Sequence, residues 1–240
     1  MNKKSQVSIF VIIGLILVII LGIVLVKVNY EPDVTRENKN FEEIEKHVTK
    51  CIEESALEAI QTLGRQGSLD PQAYTQSDDS VISFYYFKGR GYIPDQETIE
   101  TQISNFVTDK LYLCINEFSD KEYVIDAEDV VVGTKINKNS VDVTLDTPIK
   151  VYHHGQKDEH IIPTVKINAN LKKIYETSKE IISDTINDPD WIQFDKLYEN
   201  DLDIKIVKVN SSTIVYVITD NKIGLDKKPY TYRFAVKYDL

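Results

Sequence analysis

KKSQVSIFVIIGLILVIILGIVLVKV, residues 3–28, decides how the rest of the chain is read. From Val7 to Val26 it runs twenty residues without a charge, and Ser8 is the one clearly polar side chain among them. A helix of that length rises roughly 30 Å, the thickness of a bilayer's hydrocarbon core. A cleaved secretory signal has a shorter apolar run of about 7–15 residues and a small-x-small site after it. Here Lys27-Val28-Asn29-Tyr30-Glu31-Pro32 follows, so ordinary signal cleavage is not expected. A soluble domain rarely leaves an N-terminal helix apolar all round. Lys3 and Lys4 precede the run, and the first acidic residue is Glu31. The positive-inside rule then keeps the short tail in the cytoplasm and places everything beyond about Asn29 outside. The expectation is a single-pass membrane protein with an extracellular C-terminal domain.

The 240-residue chain carries a net charge of −10, nearly all of its acidic excess beyond the apolar run. Such a surface repels nucleic acid and anionic headgroups, which excludes nucleic acid as a main partner. Two cysteines occur, Cys51 and Cys114. Outside the membrane an even pair forms a disulfide, and this one closes a loop long enough to stabilise the fold by about 4 kcal/mol.

Working outward, residues 29–39 are polar without apolar periodicity and read as a stalk, with Pro32 disfavouring helix just before it. Asn40 reads as an N-cap with Glu43 as its capping partner. Ile44, Val48, Cys51 and Ser55 then recur at helical spacing, up to Gly64 and Gly67. A second stripe holds Ile99, Ile103, Val107, Leu111 and Cys114, so both cysteines fall on the inward faces of separate helices. A third runs from Leu171 to Thr185. Alternation with a period of two marks Val130–Ile136 and Val141–Leu145, separated by an Asn-Lys-Asn-Ser turn. Further strands are expected around Lys88-Gly89-Arg90-Gly91, at Pro148–His153 paired with Ile161–Ile167, and at Leu202–Val209, Thr213–Thr219 and Tyr230–Tyr238. The expected fold class is α+β: an N-terminal transmembrane or filament-core helix within 1–28, the stalk, and one extracytoplasmic domain over 40–240. In that domain about three amphipathic helices pack on a mainly antiparallel sheet.

Chemistry is sparse. His153, His154 and His160 gather near Asp158 and Glu159 and are weak candidates for metal ligation, but no HExxH or paired CxxC accompanies them. His47 and Cys51, four apart on one helix, could form a thiol–imidazole pair, unless Cys51 is bridged. No phosphate-binding loop, nucleophile elbow or calcium loop is present, and no cofactor is expected. In Phe84-Tyr85-Tyr86-Phe87, strand alternation predicts that half of the cluster points inward. Asn210-Ser211-Ser212 is a glycosylation acceptor pattern at an expected hairpin tip.

Lys4-Ser5-Gln6-Val7-Ser8, followed by the apolar run, resembles the class III signal of archaeal type IV pilin-like proteins. The resemblance covers about 25 residues. It implies processing between Ser5 and Gln6, with the mature helix packing in a filament core. Ser5 stands where the family usually has Gly or Ala, and Phe10 where many members have Glu. The Cys51 helix, ending in Leu63-Gly64-Arg65-Gln66-Gly67, is also similar to that of archaeal membrane-anchored proteins. The implied role is a non-catalytic surface protein acting in assembly or adhesion, with residues 7–26 contacting membrane lipid or like helices. The alternatives are a permanently anchored binding module and, third, an extracytoplasmic enzyme.

Overall fold

The apolar stripes become helices and the alternating segments become hairpins in the computed structural model. It describes residues 14–24, 34–77, 80–117, 123–127, 129–153, 156–189, 191–192, 201–226 and 228–238. The chain divides into two compact units, Met1–Ile44 and Glu45–Leu240.

In the first unit, residues 14–24 form helix α1, whose residues are all exposed; Val18 is 71% and Leu15 62% accessible. The described part of this helix, eleven residues, rises about 16 Å. Among the described residues no helix is long and apolar enough to cross a membrane. The transmembrane helix expected over 7–26 is therefore seen only in its middle; residues 7–13 and 25–26 lie outside the described residues, as does the Ser5–Gln6 processing site. Helix α2, Val34–Gln66, already begins within the segment expected to be a stalk. Pro32 precedes that start and so does not interrupt it.

The second unit holds most of α2, then β1 (Tyr74–Ser77), β2 (Ser80–Phe87), β3 (Arg90–Gly91), α3 (Gln96–Glu117), β4 (Tyr123–Asp126), β5 (Val132–Ile136), β6 (Ser140–Leu145), β7 (Ile149–His153), β8 (Gln156–His160), β9 (Val165–Asn168), α4 (Leu171–Asn187), β10 (Asp203–Lys208), β11 (Thr213–Leu225) and β12 (Lys228–Lys237). It is α+β, as the patterning predicts. In place of one sheet there are three: β1-β2-β12-β11-β10 with β3 on β2, β4-β7-β8, and β5-β6-β9. All pairings are antiparallel except β2 with β12, where Phe84 faces Ala235 and Tyr86 faces Val236.

Local chemistry explains the elements. Asp95 caps α3, its carboxylate accepting the Thr98 N–H at 2.7 Å. Lys88 and Gly89 both take positive φ, the pattern a two-residue hairpin between β2 and β3 demands. Gly67, at φ +74°, ends α2 by donating its N–H to the Leu63 carbonyl at 2.7 Å.

Helix α2 docks closely on the largest sheet. A Cβ at Gly64 would lie 2.5 Å from the Thr231 carbonyl oxygen, and one at Gly67 would lie 2.6 Å from that of Arg233. Bare backbone at both positions lets the helix touch β12 directly. Three buried tyrosines tie this seam: Tyr230 donates to the Ile60 carbonyl (2.9 Å), Tyr85 to the Gly67 carbonyl (2.6 Å), and Tyr232 also reaches Gly67 (3.1 Å) and bonds Tyr85. The Tyr85 ring stacks on Phe234, which stacks on Tyr216. On the opposite face of β2, Ile82 and Phe84 pack with Val215 and Ala235. Phe84, Tyr85 and Tyr86 are thus all buried, which corrects the half-inward expectation. Alternation assumes one wet face, and β2 is covered on both.

Candidate functional site

Cys51 and Cys114 are joined in a disulfide linking α2 to α3, with Cα atoms 6.0 Å apart and 63 residues between them in sequence. The His47 ring approaches from one turn earlier on α2, its Nε2 3.5 Å from Cys51 Sγ and 3.4 Å from the Cys114 carbonyl oxygen. These three side chains are the one group among the described residues whose donor atoms gather closely enough for a metal, within 4.8 Å of one another. With the sulfurs bonded to each other neither is a thiolate, so neither ligates a metal nor attacks a substrate. The thiol–imidazole pair is geometrically present and chemically closed.

Of the histidine cluster, His153 and His160 are not brought together. His153 pairs with Gln156 at one end of the β7–β8 hairpin, and His160 pairs with Ile149 at the other. Four residues of extended strand separate them, roughly 13 Å. His153 stacks on the Tyr123 ring, centroids 4.4 Å apart. His154 lies outside the described residues. The segment expected to be a loop is mostly strand β8, and β9, expected to pair with β7, joins β6 instead. Short alternating runs do not specify which neighbour they pair with.

Asn210 sits in the connection between β10 and β11 as expected, and it is exposed. Its side-chain oxygen accepts the Ser212 N–H at 3.0 Å and the Thr213 N–H at 2.9 Å, a local turn that leaves the amide nitrogen available for a glycan.

The grouping that sequence reasoning missed is a cavity of about 580 Å³ at the N-terminus of α4. Lys138 and Asn139 enter from the β5–β6 turn, Asn170, Lys172, Lys173 and Glu176 from the start of α4, Asp201 from just before β10, and Lys222 and Ile223 from β11. The Asn139 carbonyl accepts the Ala169 N–H at 3.2 Å, which holds the β5–β6 turn beside the helix start. Asp201 accepts from Lys173 (3.1 Å) and Lys222 (3.2 Å). Those two bonds hold its carboxyl below the usual aspartate range. Four separate segments supply the lining, so no local motif announces it. One signal was legible: Asn170-Leu171-Lys172-Lys173 opens a helix with cations and no acidic residue in its first turn, against the helix dipole.

Elsewhere, perturbed titrations are structural. Burial and the neighbouring Tyr232 push the Tyr85 hydroxyl well above its ordinary value, and burial does the same to Tyr230. Burial pushes the Glu100 carboxyl up, but hydrogen bonds from Gln96, the Ile136 N–H and Lys135 outweigh it and hold the group below the ordinary range.

Comparison of the chain with protein-family models, with curated proteins and with solved structures returned no match.

Proposed function

We propose that this is a non-catalytic single-pass surface protein whose N-terminal apolar helix is pilin-like and whose α+β body acts outside the cell in assembly or adhesion. The observation that carries this reading is the Cys51–Cys114 bridge between two packed helices. Such bonds persist in oxidising compartments, the side of a membrane to which the charge pattern around residues 7–26 assigns the body. The exposed apolar surface of α1 supports it further, because a bare helix of this kind suits lipid or copies of itself.

Mass spectrometry of the mature chain tests the assembly role. A chain beginning at Gln6 is expected, and substituting Lys4 and Ser5 should block it and any filament. A second reading, a permanently anchored binding module, is favoured by Phe10, since no carboxylate in the apolar run can compensate a buried mature amine; it predicts an intact N-terminus. A full-length chain recovered from the cytosol with both thiols alkylatable would end both readings.

A further inference from the structure

We propose that the cavity at the N-terminus of α4 binds a small, free phosphate monoester with a polar, polyol-sized body. This does not depend on where the body resides. On a chain of net charge −10, four lysines converge on one concave surface. Four ammonium groups against the carboxylates of Asp201 and Glu176 leave two positive charges, the complement of a phosphate monoester at neutral pH. Lys173 and Lys222 are held by Asp201, whereas Lys138 and Lys172 have no ion-pair partner among the described residues.

The helix end adds a second set of donors. The first turn of an α-helix presents backbone N–H groups without intrahelical acceptors, and an anion satisfies them. Asn170 occupies the N-cap position of α4 and its side chain makes no capping hydrogen bond. The Asn170 carboxamide is independent evidence of a ligand. The residue is only 9% exposed and lines the cavity, and its side chain makes no cap hydrogen bond among the described residues. A carboxamide that faces a cavity without a protein partner is placed to bond a ligand there. The volume of about 580 Å³ far exceeds a bare phosphate and lies within the range of small-molecule pockets. No aromatic side chain lines it, and Ile223 is its one aliphatic residue. The ligand body is therefore hydroxylated, with Glu176 and Asn139 as its hydrogen-bonding partners.

Isothermal titration of the full chain in detergent, at fixed low salt, tests this with inorganic phosphate and glucose 6-phosphate as probes. Saturable binding of both is expected, with the sugar phosphate at least 10-fold tighter. Lys172→Glu and Asn170→Ala should each weaken it by 10-fold or more, while Lys157→Glu, on the distant β8, leaves it unchanged. Phosphatidic acid vesicles should fail to displace the sugar phosphate; displacement would overturn the assignment to a free ligand. No saturable binding by the wild-type chain overturns the proposal, as does an equal loss in Lys157→Glu, which would mean diffuse charge attraction. Circular dichroism melts of each variant separate lost binding from lost folding.

Discussion

The two ends of this molecule where a helix meets a sheet treat polar groups in opposite ways. At the C-terminal end of α2, Gly64 and Gly67 bring the backbone against β12, and the hydroxyls of Tyr85, Tyr230 and Tyr232 are all hydrogen-bonded. At the N-terminal end of α4, the cap residue bonds nothing through its side chain, lysines stand at the positive end of the dipole, and a cavity remains. In the first arrangement the tyrosine hydroxyls are satisfied within the protein. In the second, Asp201 pairs with Lys173 and Lys222, while Lys138 and Lys172 have no ion-pair partner among the described residues. The contrast shows how polar groups separate stability from binding: those satisfied internally stabilise the fold, and those left open recruit something else.

The largest effect should come from breaking the finished seam. Tyr85→Ala removes a fully buried ring together with its bonds, and chemical denaturation should show a loss of about 3–5 kcal/mol. Replacing both cysteines by serine tests how far α2 is held from its other end. Removing a bridge across 63 residues should cost roughly 2–4 kcal/mol, with anion binding retained. A gentler probe of the seam is Tyr230→Phe, which deletes one hydroxyl from the Ile60 carbonyl and should cost about 1 kcal/mol.

Glu100 extends the comparison to a satisfied charge. Its carboxyl is depressed in the folded state, so its contribution to stability is complete above the unfolded glutamate pKa near 4.5 and is lost as pH falls through the lower folded value. Thermal melts below about pH 4.5 should therefore show a steeper acid loss in the wild type than in Glu100→Gln. The smallest effect has the opposite sign. Lys172→Glu places an anion at the helix N-terminus and should raise stability by about 0.3–1 kcal/mol while weakening the proposed phosphate binding 10-fold or more. A variant that is both less stable and still able to bind would collapse the distinction between the two helix ends.

Much of the fold was legible because it is local. The stripes over Ile44–Leu63, Ile99–Cys114 and Leu171–Thr185 reappear as buried faces of α2, α3 and α4. The β5–β6 hairpin forms around the expected turn, with Ile136 opposite Val141. Where expectation failed, the cause was non-local. The β7 partner was misjudged because β8, Gln156-Lys157-Asp158-Glu159-His160, carries no apolar residue to mark it as a strand, whereas β9 alternates. The Phe84–Phe87 parity failed because nothing in the strand announces that both of its faces are covered. The lysine cavity was missed because its residues come from positions 138 to 222 and are ordinary surface residues one by one.

By itself, the sequence determined the uncharged run at 7–26, the helical and alternating segments, and a cysteine on each of two inward stripes. These depend on backbone periodicity and side-chain type within a few residues. Tertiary structure alone decided that β2 runs parallel beside β12, that two glycines of α2 lie against that strand, and that four lysines face one cavity. Those outcomes join residues many tens of positions apart. Which distant surfaces meet is settled by the packing of the whole body, where each close approach is allowed only by what every other element leaves room for.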